Sequence, residues 1–323
     1  MLVCKNSIRL IAAAILWLCL ATFARAELLG VIAGGLHRGQ ALDSLTEGKP
    51  RGLIYISPDL PQIIWVDLQG GAMHLLVQPR PGWFVEAEII PVSIGKSGFG
   101  KLHEGDLKTP VGVYQVNSYL SDVELADKYG SGAFPLNYPN IQDRLEHRTG
   151  SGIWLHGLPK GVQSRPRLDS DGCVVIDNEA LERLKPIITN NETLVVLSPG
   201  IEWSTEVEDS EEQLLNTIEE WRQAWQAIDN PAYLKHYGQS FTDSRRNLSA
   251  WKRYKTRLNQ SERRIKVDIQ KLSVIAYPGE NDLASVRFYQ IYESNNFRWR
   301  GWKQLLWQFE SDGEWRIVYE GNG

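Results

Sequence analysis

A histidine at the end of an apolar run and a cysteine after a glycine turn are the residues best suited to chemistry in this sequence. Ile153-Trp154-Leu155-His156-Gly157 is followed by a loop, Leu158 to Asp169, and then by Ser170-Asp171-Gly172-Cys173-Val174-Val175. The thiolate is the reactive form of cysteine, so catalysis needs a base or an imidazolium beside the sulfur. His156 is the candidate. Gly172 removes bulk next to the sulfur and frees the backbone to aim N–H groups at a developing oxyanion, an effect of about 3 kcal/mol per donor in known cases. A plainer alternative stands beside this one. Ser-x-Gly turns before strands are common, and a lone His often only satisfies a loop.

The N-terminus bears on the thiol count. Lys5 and Arg9 precede an apolar core, Ile11 to Leu20, which ends at Ala24-Arg25-Ala26. This pattern predicts a secretory signal, residues 1–26, cleaved after Ala26; an uncleaved membrane anchor is the alternative. A lipoprotein reading through Cys19 suffers from Leu18, which is not the small residue such a site prefers. Cleavage removes three basic residues and no acid, taking the formal charge from −4 to −7. It also removes Cys4 and Cys19. Exported proteins normally use cysteines in disulfide pairs, so the single Cys173 left over is a buried small hydrophobe, a redox liability or a working nucleophile.

The elements around these residues are mostly strands. Ile63 to Leu68 and Met73 to Val77 flank Gln69-Gly70-Gly71 and predict a hairpin. Further strands are expected at Trp83 to Val92, Gly112 to Ser118, Gly152 to His156 and Leu194 to Leu197. One helix, Asn178 to Ile188 with Asn178 as its N-cap, interrupts them. Residues 27–61 read as a short helical piece, Leu28 to Leu45, and an extended run at Leu53-Ile54-Tyr55-Ile56. The expected division is a segment at 27–61, a mainly β sandwich or barrel at 62–200, an acidic linker at 201–211 and a second domain at 212–323. In that last domain Leu214, Leu215, Ile218, Trp221, Trp225 and Ile228 follow helical spacing. A second helical piece lies near Pro231 to Tyr237. Strands are then expected at Ile265 to Ala276, Ala284 to Glu293, Gly301 to Glu310 and Trp315 to Glu320, making an α+β domain. Eight of the twelve Trp lie from Trp203 onward, which marks this unit as different in character. A hydrophobic fraction of 42% and charged fraction of 23% suit a globular protein, and the negative balance argues against nucleic acid as a partner.

His156-Gly157 with Ser170-x-Gly172-Cys173 resembles the signature of the L,D-transpeptidase (YkuD-type) catalytic domain. The likeness runs from Gln62 to Pro199. It is reinforced by Gly95-Lys96, by Gly105-Asp106-x-Lys108-Thr109-Pro110-x-Gly112-x-Tyr114, and by Phe134-Pro135-Leu136-Asn137-Tyr138-Pro139-Asn140. The resemblance implies that Cys173 attacks the carbonyl of the third residue of a peptidoglycan tetrapeptide stem. The terminal D-Ala leaves and a thioacyl-enzyme forms. His156 would be general base and then acid, the Gly157 carbonyl would hold its tautomer, and N–H groups in the turn Ser170, Asp171, Gly172 and Cys173 would form the oxyanion hole. No cofactor or metal is implied, and the six His show no paired ligand spacing. Asp171 and Val175 depart from the pattern, in which many members have His and then Arg or Asn. A carboxylate at position 171 tends to disfavour the thiolate. Arg165 and Arg167 are either guanidinium forks for a carboxylate-rich peptide or basic residues of a solvated loop. Tyr138 is either a pocket wall or a packing residue.

The C-terminal pattern of Trp221, Trp225, Tyr233 and Tyr237 before Phe288-Tyr289-Gln290-x-Tyr292 and Trp315-Arg316-Ile317 resembles a nuclear transport factor 2-like (SnoaL-like) domain, a cone with a curved sheet and a pocket. Its aromatic residues either line a glycan-binding groove or form a large core; glycan contact and dimerisation are the roles open to it. The pairing of domains is similar to that of peptidoglycan L,D-carboxypeptidases. Water as acceptor would trim the tetrapeptide, whereas a stem-peptide amine would give a 3→3 crosslink. The alternative from another class is a catalytically silent cell-wall-binding protein. Either way the expected location is the periplasm.

Overall fold

The computed structural model describes residues 48–323. The signal sequence and the helix expected at Leu28 to Leu45 lie outside the described residues.

The first unit is a set of small sheets. Chain order begins with β1 (Lys49–Pro50), β2 (Leu53–Ile56), β3 (Gln62–Asp67), β4 (Ala72–Arg80), β5 (Trp83–Pro91), β6 (Ile94–Gly95), β7 (Gly112–Gln115), β8 (Leu120–Ser121) and β9 (Gly132–Pro135). Helix α1 (Ile141–Leu145) follows, then β10 (Trp154–Gly157), β11 (Leu168–Ser170), β12 (Val174–Ile176), helix α2 (Asn178–Leu184) and β13 (Leu194–Ser198). A five-stranded sheet has the order β5-β4-β3-β13-β7, a four-stranded one β12-β10-β9-β8, and β11 pairs with β6. The second unit adds β14 (Trp203–Ser204), α3 (Asp209–Gln226), α4 (Asn230–Leu234), β15 (Tyr237–Thr242), α5 (Leu248–Gln260), β16 (Ile265–Ala276), β17 (Leu283–Ser294), β18 (Arg298–Phe309) and β19 (Trp315–Asn322). Its six-stranded sheet runs β15-β19-β18-β17-β16-β2.

Side-chain alternation explains why the middle of the five-stranded sheet is apolar throughout. Along β3, Ile64 and Val66 enter the core beneath the site, while Ile63 and Trp65 enter a second core. On β13, Val195 and Leu197 take the first side, and Leu194 and Val196 the second. The second core also contains Leu53, Ile275, Tyr277, Leu283, Leu306 and Tyr319, so it joins the two units. Strands buried on both faces lose the polar alternation of a solvated sheet.

The N-terminal segment has a partner that its own sequence does not reveal. β2 is an edge strand of the C-terminal sheet, antiparallel to β16, with Val274 opposite Tyr55. β1 pairs with β14, so the stretch expected as a linker contains a strand. Among the described residues, the chain thus passes from β2 in the second unit's sheet to the first unit and then returns.

Some local expectations need correction. The N-cap of α2 is Asp177, whose Oδ1 accepts the Ala180 N–H at 2.7 Å. Asn178 instead bridges the strand connections, accepting from Ser131 N–H at 2.8 Å and donating to Leu158 O at 2.9 Å. Helix α2 ends at Leu184, short of the expected Ile188. Helix α5 has no counterpart among the expected elements, because Lys255 and Asn259 share its buried face with Leu248 and Trp251 and blur the apolar period.

Candidate active site

Cys173 and His156 reach one place by strand pairing. β10 and β12 are parallel neighbours, with Leu155 opposite Val174 and His156 opposite Val175. Leu155, Val174 and Ile176 belong to the core. Alternation therefore sends His156, and Cys173 just before β12, to the other face.

The turn before the sulfur is tightly held. Ser170 Oγ donates to Cys173 O at 2.6 Å and accepts the Gly172 N–H at 3.1 Å. Thr109 Oγ1 accepts the Gly95 N–H at 2.9 Å and donates to Gly172 O at 3.0 Å. Gly172 has φ +128°, and a Cβ there would sit 2.9 Å from Lys108 O. Only glycine fits without strain. This geometry corrects one expectation: the Gly172 N–H is engaged by Ser170, so it is not a free oxyanion donor.

His156 is buried, and its Nδ1 lies 2.8 Å from Gly157 O. Burial is the main cause that pulls its pKa down to about 4, with Arg165 and Lys128 adding to it against the hydrogen bond to Gly157. At neutral pH the imidazole is uncharged. Its Nδ1 proton is donated to the carbonyl, which leaves Nε2 as an acceptor. The Tyr129 ring meets His156 edge-on at 5.1 Å and packs on Trp154 at 4.8 Å.

The sulfur sits in the wall formed by residues 152–154. Cys173 Sγ donates to Gly152 O at 3.4 Å. Burial pushes the thiol pKa up and Asp171 adds to that; the Trp154 N–H, Lys128 and Arg165 work the other way. The resting pair is therefore a neutral thiol and a neutral imidazole. Gly152 is held by its loop: Tyr138 Oη donates to Thr149 O at 2.9 Å, and the Thr149 N–H bonds Leu102 O at 2.9 Å. Below it, the Asp106 carboxylate accepts from Lys101 Nζ and from the N–H groups of Leu102, His103 and Lys108. Burial would raise its pKa, but these donors hold it well below the usual carboxylate range.

The remaining expected site residues separate. Asp171 is exposed and paired with Lys96 Nζ at 2.9 Å. Arg165 binds the Asp169 side chain at 2.7 Å and lends its charge to the thiol and imidazole. Arg167 does not join the site: its Nη1 donates to Leu68 O and Gln69 O at 3.0 and 3.1 Å, which ties it to the β3–β4 hairpin. Tyr138 is a buried packing residue rather than a pocket wall. Lys96 and Thr109 stood in the upstream blocks without an assigned role, and nothing in the sequence distinguished Tyr129 or Lys128.

In the C-terminal unit the aromatic residues form a core. Trp221, Trp225, Tyr233, Tyr237, Trp251, Trp307 and Trp315 are all buried together. A cavity of about 460 Å³ opens beside it, lined in part by Arg246, Trp251, Tyr254, Lys255, Lys303 and Glu320. Glu320 accepts from Tyr237 Oη at 2.6 Å and lies 3.8 and 3.6 Å from Lys255 and Lys303. Burial would raise the carboxyl, but the two lysines hold it ionised.

Residues 61–197 match the family model of the L,D-transpeptidase catalytic domain (YkuD), and residues 213–321 that of the Cds6 C-terminal NTF2-like domain. Among solved structures the chain is similar to Bd1075 of Bdellovibrio bacteriovorus, at 29% identity and a TM-score of 0.69, over 86% of this chain and 97% of that one. It is also similar to a point mutant of the helical cell shape determining protein Pgp2 from Campylobacter jejuni, at 23% identity and a TM-score of 0.67, over 85% of this chain and 92% of that one. The Pgp2 structure without that mutation gives 22% identity and a TM-score of 0.64, over 85% of this chain and 94% of that one. At these identities the Pgp2 likeness is one of fold. No curated protein matches the chain.

Proposed function

The chain carries an L,D-transpeptidase catalytic domain followed by a C-terminal NTF2-like domain, and from that premise we propose a peptidoglycan-modifying cysteine enzyme acting on tetrapeptide stems. The observation that carries the reading is the fixed tautomer of His156, whose Nδ1–H on Gly157 O leaves Nε2 as the acceptor, on a strand paired with the one that Cys173 leads into.

The steps follow from the resting protonation. Because thiol and imidazole both start neutral, the thiol turns from Gly152 O toward Nε2 and gives up its proton as the sulfur attacks. The stem carbonyl carbon gains a C–S bond and its oxygen becomes the oxyanion, for which Cys173's own N–H is a donor in the turn. Collapse breaks the C–N bond, and the Nε2 proton passes to the amine of the departing D-Ala. The thioester then meets an acceptor. A stem-peptide amine yields a 3→3 crosslink, the L,D-transpeptidase reaction, while water yields a tripeptide and free enzyme. The second outcome is the L,D-carboxypeptidase reaction, toward which the two-domain pairing leans, while the match to the L,D-transpeptidase catalytic domain leans toward the first.

Export to the periplasm through the signal ending at Ala24-Arg25-Ala26 supplies the substrate. The cavity's Arg246, Lys303 and Glu320 offer polar groups to sugar hydroxyls, which supports a glycan contact. The likeness to Pgp2, the helical cell shape determining protein, supports a role in wall shape. Purified sacculi treated with wild type and Cys173→Ala, then digested and separated, test the reading. Stem peptides changed only by wild type support it. Equal change by both proteins, or none by either with intact binding to sacculi, points to the silent wall-binding alternative.

A further inference from the structure

The charge beside the thiol is the feature that the proposed chemistry leaves unexplained. Asp171 stands two residues before Cys173, is exposed, and adds a negative charge to a site that must release a proton from sulfur. An uncompensated carboxylate there opposes thiolate formation. We propose that Lys96 is a positioning residue for the Cys173 thiol: by holding the Asp171 carboxylate in an ion pair on the site's rim, it cancels that charge and keeps the sulfur ionisable.

Backbone register makes this pair more than a chance surface contact. β6 and β11 pair with Gly95 opposite Ser170, and the Lys96 N–H donates to Ser170 O at 2.7 Å. The residues carrying the two charges therefore follow directly on a hydrogen-bonded pair, and Nζ meets Oδ1 at 2.9 Å. Gly95 is itself tied through Thr109 to Gly172. The Lys96 hydrogen bond is the leading cause that lowers the Asp171 pKa, so the acid stays ionised and paired. Both side chains are about half or more exposed, and such pairs add only about 0–1 kcal/mol to stability. Fold stability is a poor reason for this one. The other charged or titratable groups acting on the sulfur are Lys128, from the turn at 127–129, Arg165, already paired with Asp169, and the neutral His156. Among the described residues, none of the cations other than Lys96 makes an ion pair with Asp171.

This inference rests on Cys173 being the nucleophile, but its test needs no stem peptide. The rate of iodoacetamide alkylation is followed on the Cys173 peptide as a function of pH in the full chain and in Lys96→Met, Lys96→Met/Asp171→Asn and Lys96→Arg. Lys96→Met should move the midpoint up by about 0.5–1 pH unit, a roughly 3- to 10-fold slower reaction at pH 7. The double variant should return to within about twofold of wild type, and Lys96→Arg should hold near it. Loosened packing would expose the sulfur and speed the reaction, the opposite sign. An unshifted or faster Lys96→Met, or a double variant as slow as the single one, overturns the proposal. If the shift appears while no tetrapeptide is turned over, the enzyme reading fails and this one stands. Turnover without the shift has the reverse meaning.

Discussion

His156 gives its Nδ1 proton to the carbonyl of the very next residue, Gly157, at 2.8 Å. The bond is local, so the tautomer is set as soon as β10 forms. Because Gly157 lies in β10 opposite Ile176 of β12, the strand pairing that aims Cys173 also holds this carbonyl. The imidazole and the thiol are thus referenced to one backbone frame.

Burial of His156 has a stability consequence. The ordinary pKa of 6.5 applies to the unfolded chain, and about 4 to the folded one. Between these values the unfolded chain binds the proton first, so stability falls as pH drops from about 6.5 to about 4 and then levels. His236, also pulled down to about 4 by burial, adds the same trend. Urea unfolding at pH 7 and pH 4.5 should show a smaller acid loss in His156→Gln than in wild type, by about 2 kcal/mol. Equal losses contradict the buried neutral state.

Gly172→Ala should fold poorly and lose turnover. The new Cβ meets Lys108 O at 2.9 Å at a φ of +128°, a strain of about 1–3 kcal/mol. Thermal unfolding and sacculus digestion check it, and an unchanged melting temperature argues against the strain.

Thr109→Val removes the hydroxyl that links Gly95 N–H to Gly172 O inside the protein. It should cost about 1–3 kcal/mol, because a buried donor and acceptor both lose their partner. Denaturant titration measures this, and thiol alkylation should become less uniform as the turn loosens.

The joint between the units has its own test. Arg148 bridges the fully buried Asp143 at 3.3 Å and Glu280 of the C-terminal unit at 2.5 Å. Burial raises the Asp143 pKa, and Arg148 counters it. Arg148→Met should destabilise by about 3–5 kcal/mol, the effect of leaving a buried charge unpaired. Asp143→Asn in the same chain should recover part of the loss. An Arg148→Met variant as stable as wild type rules out this role.

The frame of the candidate site was largely legible in the sequence because its parts are local. His156-Gly157 and Ser170 to Cys173 are short runs, and the strands that present them show ordinary alternation. What could not be read depends on distant partners. Tyr55 finds Val274 from the far end of the chain, and nothing in Leu53 to Ile56 names that neighbour. Arg167 looked available for substrate until the β3–β4 turn supplied carbonyls for it. Asp177 and Asn178 are both good caps, and only the Ser131 and Leu158 contacts of Asn178 decide between them. In α5 the buried Lys255 is compensated by Glu320 and by the faces of Trp225 and Trp251, at 4.5 and 4.7 Å, so a polar residue occupies an apolar position.

The central claim is that Cys173 forms a thioacyl-enzyme on the tetrapeptide stem. Defined disaccharide tetrapeptide incubated with wild type and with Cys173→Ala, followed by mass spectrometry of products and of intact protein, addresses it directly. The expected result is loss of D-Ala with wild type, a tripeptide or 3→3 dimer as product, an acyl adduct on the Cys173 peptide, and no reaction with Cys173→Ala. Conversion by Cys173→Ala at the wild-type rate, or a wild type that yields neither product nor adduct, would contradict the account.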